Sequence, residues 1–189
     1  MSKKRLGLAL CGSYCTYDKL FLAAEELSKK YELVPIMSDT AAETDSRFGT
    51  ASEHIKKLML LTGKKVISTI VEAEPLGPKE PVEALLIAPC TGNTLAKLSL
   101  GITDSAVTMA AKAHLRNGRP LIIALSTNDG LSGSAENIAR LLNRKNVYFV
   151  PFGQDDAENK PNSLQADFSL LDETVTAALA GKQLQPVLK

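Results

Sequence analysis

Ala88-Pro89-Cys90-Thr91-Gly92-Asn93-Thr94-Leu95-Ala96-Lys97 joins an apolar run to a helix-compatible one. The run Ala84 to Ala88 stops at a proline, and small hydroxyl and amide residues follow at once. That is the pattern of a buried strand's carboxyl end, a tight loop and a helix start. Such a junction points backbone N–H groups and short side chains at whatever lies above the sheet. With few bulky side chains in it, the segment is suited to a small planar or anionic ligand.

Outward from this junction, short apolar runs alternate with longer periodic segments. Strands are expected at Leu6–Cys11, Leu33–Met37, Val66–Val71, Glu83–Ala88, Leu121–Leu125 and Val147–Val150, the last of the series. Helices are expected at Tyr17–Lys30 with Thr16 as N-cap, Ala51–Leu61 ended by Gly63, Thr94–Leu100 interrupted by Gly101, Ser105–Arg116 closed by Asn117-Gly118, Ser134–Asn143 and Ser169–Ala180. Ser38–Thr50 is a polar excursion over the sheet edge, and Phe152–Asp167 a long ordered loop or arm. Pro75, Gly77, Pro78 and Pro81 make their stretch irregular.

Strands alternating with helices imply an α/β fold: a three-layer, Rossmann-like (flavodoxin-like) parallel sheet with helices on both faces. Leu121-Ile122-Ile123-Ala124-Leu125 is apolar throughout, as a strand buried on both faces must be. The length, 189 residues, suits one domain, with a C-terminal arm and helix over about 152–189.

Composition narrows the function. With 22 Lys+Arg against 21 Asp+Glu the net charge is +1, and no basic stripe marks a nucleic-acid binder. No apolar run approaches the ~20 residues of a membrane span, and no signal peptide is evident, so the cytoplasm is the expected compartment. Three cysteines and two histidines make neither a disulfide framework nor a metal site.

Ligands of such sheets collect beyond the carboxyl ends of the strands. Four junctions meet there. In Cys11-Gly12-Ser13, Gly12 lets backbone approach a ligand and Ser13 with the following amides is a candidate phosphate cradle, or else an ordinary turn. Ser38 adds a hydroxyl, or caps a helix. Cys90, Thr91, Gly92, Asn93 and Thr94 offer short donors and no cation, which suits a neutral heteroaromatic ring. Cys90 is either a thiol with a lowered pKa or a small buried hydrophobe. Ser126-Thr127-Asn128-Asp129 supplies either ligand contacts or an Asx-turn. The glycine spacing at Gly12 is not the dinucleotide fingerprint. Asp104 is expected as a helix cap, His54 as a solvated helix-face residue, and His114 as a cation complementing a helix end.

These junctions together resemble the flavoprotein family that includes phosphopantothenoylcysteine decarboxylase, peptidyl-cysteine decarboxylases and flavin prenyltransferases. Pro89, Thr91, Thr94, Ala96-Lys97, Gly101 and Asp104 match the family's loop against the flavin. Gly12-Ser13 match its phosphate turn, and Ser38 matches its second-strand hydroxyl. The resemblance implies FMN held by Gly12, Ser13, Ser38, Cys90, Thr91, Gly92, Asn93, Thr94 and Ser126, and a homo-oligomer built of trimers. Its decarboxylases carry a histidine where this chain has Pro75, and its prenyltransferases an arginine where this chain has Ser126. Further phrases, Ala73-Glu74-Pro75-Leu76-Gly77-Pro78 and Tyr148-Phe149-Val150-Pro151-Phe152 among them, are similar to a dipicolinate-forming branch. That implies one subunit of a two-subunit oxidoreductase active in spore formation, whose partner subunit carries NAD(P). Its small-molecule dicarboxylate substrate needs cationic or amide groups; Lys97, Arg116 and Asn128 are the candidates.

Overall fold

A computed structural model describes residues 3–77, 79 and 81–189. Five parallel strands form the centre: β1 (Lys4–Leu10), β2 (Tyr31–Met37), β3 (Ala84–Cys90), β4 (Leu121–Thr127) and β5 (Val147–Phe149). They lie in the order β2-β1-β3-β4, with β5 on β4. All seven residues of β3 are buried, as are all but the last of β4. Helices cover both faces, so the sheet's continuous apolar runs end in one core.

Local chemistry sets the helix limits. In α1 (Tyr17–Lys30) the buried residues Leu20, Phe21, Ala24 and Leu27 repeat at helical spacing. Ser38 caps α2 (Asp39–Glu43), which makes part of the polar excursion helical. A reciprocal Thr50–Glu53 box opens α3 (Ala51–Thr62), and Gly63 closes it at φ 66°. Thr91 caps α5 (Gly92–Leu100). Ser105 and Thr108 box the start of α6 (Ala106–Leu115). Ala135–Leu142 is α7 and Leu171–Leu179 is α8, preceded by a 3-10 turn at Phe168–Leu170.

The structure departs from the sequence expectation in two elements. Val66–Val71 is not a strand. Ile67 makes a single bridge to Ile36, and then Thr69 caps a short helix, α4 (Ile70–Ala73), by accepting from Glu72 N. The Glu72 carboxylate takes up Ser68 N in return, so capping chemistry wins over β-branching and leaves Val71 79% exposed. Phe152–Asp167 is not a loop but a hairpin of two three-residue strands, β6 (Phe152–Gln154) and β7 (Leu164–Ala166), and Val147–Phe149 is therefore not the last strand. β7 runs antiparallel to the end of β4, pairing Ser126 with Gln165 and Thr127 with Leu164. The hairpin thus extends the sheet at its carboxyl rim. Pro78, in the irregular stretch before β3, lies outside the described residues.

Candidate functional site

The strand order reverses between β1 and β3, and their carboxyl ends part there to leave a crevice. On the β1 side the chain turns at Gly12 into Ser13, which holds φ 67° and ψ 45°. A residue with a Cβ seldom adopts this left-handed conformation. Here it is fixed from three directions. Ser13 Oγ donates to Ser126 O at 2.9 Å, and Ser13 O accepts from Thr16 N at 3.0 Å and Thr16 Oγ1 at 2.9 Å. Among the described residues, the N–H groups of Gly12, Ser13 and Tyr14 have no acceptor. A left-handed residue amid consecutive free amides makes a concave nest for an anion.

On the β3 side Thr91 ties the rim to itself. Its Oγ1 accepts from Thr94 N at 3.3 Å and donates to Thr94 Oγ1, which donates to Cys11 Sγ at 3.2 Å. Gly92 opens α5 where no side chain fits: a Cβ would lie 2.7 Å from both Ser134 Oγ and Thr127 Oγ1. Those hydroxyls donate to Asp129 Oδ1 and hold its carboxyl below the usual range. Asp129 thereby organises the turn after β4, while exposed Asn128 beside it stays free to meet a ligand.

Two recesses result. One, about 230 Å³, gathers Gly12, Ser38, Thr91, Asn93, Thr94 and Lys97. The other, about 400 Å³, gathers Ser13, Gly92, Ser126 and Asn128 with Asp155 and Lys160. Thr91 lines both. A larger cavity, about 740 Å³, lies between α1 and the hairpin. The strand-end pair carries the free amides and is the better site for an anion and a flat ring.

The structure therefore brings together most of the residues the sequence singled out, and it relocates several. Ser38 is buried, its Oγ accepting from Ala41 N at 3.3 Å. Cys90 lines neither recess; it is 0% exposed, and burial drives its thiol up, not down. Arg116 stands at the far end of α6, in a recess of its own. Asp104 is no cap: it binds Lys97 at 2.9 Å, and the adjacent Ser105 caps α6 instead. His54 is 5% exposed and sits among Tyr14, Tyr17 and Phe21, not in solvent. His114 is 1% exposed, and burial lowers its pKa to about 4, so it is neutral at the helix end. Its Nε2 lies 2.8 Å from Pro120 O. Lys160 and Asp155 were hidden from sequence reasoning, because only the hairpin brings them to the rim.

The chain belongs to the Flavoprotein family, which matches residues 1–176. It is 48% identical over 186 residues to the B subunit of dipicolinate synthase from Bacillus subtilis (strain 168), covering 98% of this chain and 93% of that protein. The B subunit of dipicolinate synthase from Bacillus halodurans, in its crystal structure, superposes with a TM-score of 0.90 at 45% identity, over 98% of this chain and 96% of that one. The FMN-dependent cysteine decarboxylase SpaF superposes at 0.66 over 94% and 97% of the two chains. At 18% identity it shares the fold alone. Among the described residues, no helix is long and apolar enough to cross a membrane.

Proposed function

We propose that this chain is the flavin-holding B subunit of a dipicolinate synthase. It works with a nicotinamide-binding A subunit to form pyridine-2,6-dicarboxylate from a dihydro- or hydroxytetrahydro-dipicolinate precursor, in the mother cell of a sporulating bacterium. The observation that carries this reading is the meeting of Gly12, Ser38 and Asn93 in one recess, in a chain similar over nearly its whole length to a B subunit.

The donor set fits FMN. The phosphate falls to the smaller recess, where the free amide of Gly12 and the Ser38 hydroxyl meet. Thr91 to Thr94 present a narrow, hydroxyl- and amide-edged surface to the ring, and Gly92 keeps α5 close to the β4 turn. When bound, FMN supplies a two-electron acceptor suited to aromatising a dihydropyridine. Substrate falls to the β4 side. Asn128 offers an amide donor there, and Lys160 a cation held only loosely by Asp155, at 3.9 Å. Lys97 remains on the cofactor side, paired with Asp104. Association into trimers or their multiples belongs to the same reading, supported by the exposed Leu60, Val71 and Leu100. The decarboxylase and prenyltransferase alternatives are less favoured, because Pro75 and Ser126 carry no titratable group.

Titration of the purified chain with FMN, followed by reconstitution with the A subunit and scoring of dipicolinate by ultraviolet absorbance, tests the proposal. Saturable flavin binding and flavin-dependent product formation are expected. No flavin binding, or an A subunit that reaches full rate alone, would defeat it.

A further inference from the structure

A separate recess of about 320 Å³ opens on the flank of the molecule, where the end of α6 meets the connection from α7 to β5. Lys112 and Arg116 reach it from α6 and its cap, and Arg144 and Lys145 from the connection. The residues lining it include no carboxylate. Among the described residues none of the four cations has an ion-pair partner. Asp104, next to Thr103 on the rim, is bound to Lys97 at 2.9 Å.

Helix-end compensation does not account for this cluster. The ends of α5, α6 and α7 meet here and carry roughly half a negative charge each. Part of that is already taken up, since Lys112 O accepts from Arg116 N and Leu115 O from Gly118 N. Four full positive charges against about one and a half leave a surplus of about two and a half. The recess is also not purely polar, because Leu98 and Ile102 line it beside the cations. Arg144 Nη1 donates to Leu98 O at 3.3 Å, which ties one guanidinium to the rim.

We infer that this flank binds a small organic dianion, two carboxylates or a phosphate ester on an apolar body, at a site separate from the strand-end crevice. Arg116, which the sequence pointed toward substrate, belongs here. The cations supply charge, Thr103 a neutral hydroxyl, and Leu98 and Ile102 pack against the body. A pyridine dicarboxylate and a phosphorylated metabolite share this chemistry. The inference does not depend on the flavin reading.

Calorimetric titration of the full chain with pyridine-2,6-dicarboxylate and, separately, inorganic phosphate tests it. Binding should saturate and weaken steeply with salt. It should fall at least ~10-fold in Lys112→Gln/Arg116→Gln while FMN affinity stays within ~2-fold. Tighter binding of the pyridine dicarboxylate assigns an aromatic dicarboxylate; tighter binding of phosphate assigns a phosphorylated ligand. Amine-selective acetylation of the unaltered chain, read by mass spectrometry, covers the case of a misfolded variant. The anion should protect Lys112 and Lys145 but not exposed Lys56. Binding that survives the double substitution undiminished overturns the inference while leaving the flavin reading intact. No saturable binding, or no selective protection, overturns it as well.

Discussion

At the rim, buried Thr94 accepts a hydrogen bond from Thr91 and donates one to Cys11. Between α1 and α3, His54 is buried to the same degree, yet neither of its ring nitrogens has a partner; His114 likewise leaves Nδ1 unpaired. The two regions use burial differently. Rim hydroxyls are held in place by reciprocal bonds, so their positions are set before any ligand arrives. His54 is held by packing alone and His114 by packing and one bond, between Nε2 and Pro120 O, and burial keeps both uncharged. What sets the candidate site apart from these buried histidines is the row of backbone amides left over beside its bonded hydroxyls.

The largest consequence falls on the histidine side. His114 titrates near pH 4 in the folded chain against an ordinary 6.5. Between those values the unfolded chain takes up a proton that the folded chain refuses. Stability should thus be full above pH 6.5 and fall as pH drops toward 4, by on the order of 3 kcal/mol at most. Urea melts from pH 7 to pH 4.5 measure this. His114→Gln should remove the greater part of the slope, with a remainder from His54, whose pKa burial also lowers, and, at the acid end, from Glu72, whose carboxyl Lys65 holds low. An unchanged slope in that variant would show that His114 is solvated. Next is Gly92→Ala at the rim. The added methyl meets two hydroxyls at 2.7 Å, both anchored to Asp129, so neither can yield freely. A loss of about 1–3 kcal/mol is expected, with FMN affinity reduced ~10-fold or more. Thermal melts and flavin titration check it, and tolerance of the methyl would mean that the rim is looser than its bonds indicate.

The same contrast explains what the sequence disclosed. The parallel sheet was legible because Leu121–Leu125 and Ala84–Ala88 are apolar without interruption, and the rim followed from where those runs end. The hairpin was not, since three-residue strands carry no period and Phe152–Asp167 is rich in turn residues. Thr69 and Glu72 did spell a helix start, but Val66, Ile67, Ile70 and Val71 masked it. His54 was readable too: Ala51, His54 and Leu58 form one buried stripe at helical spacing. Arg116 was readable as well: a helix that leads into a parallel strand ends at the sheet's amino edge, away from the strand-end rim.

Ser13 joins the two halves of the rim, and its backbone and side chain can be tested apart. Ser13→Ala loses the bond to Ser126 O and keeps a Cβ in the left-handed region. Ser13→Gly loses the same bond and relieves the backbone. The glycine variant should therefore be the more stable by about 1 kcal/mol. Equal melting temperatures would mean that the turn relaxes to another conformation once the hydroxyl is gone.

The smallest effect has the opposite sign. Lys97 is the cation nearest the cofactor recess, and Asp104 neutralises it at 2.9 Å from a half-exposed position. A pair of that kind contributes below about 1 kcal/mol to stability. Asp104→Asn should thus leave the melting temperature almost unchanged. It also frees a positive charge beside a recess whose other donors are neutral. Phosphate-bearing ligands should then bind a few-fold tighter at low salt, and the gain should vanish once ions screen the recess to within several ångström. FMN titrations at low and high salt, on both proteins, read the difference. A gain that persists at high salt would mean that Lys97 touches the phosphate directly, which would move it from the edge of the site into it.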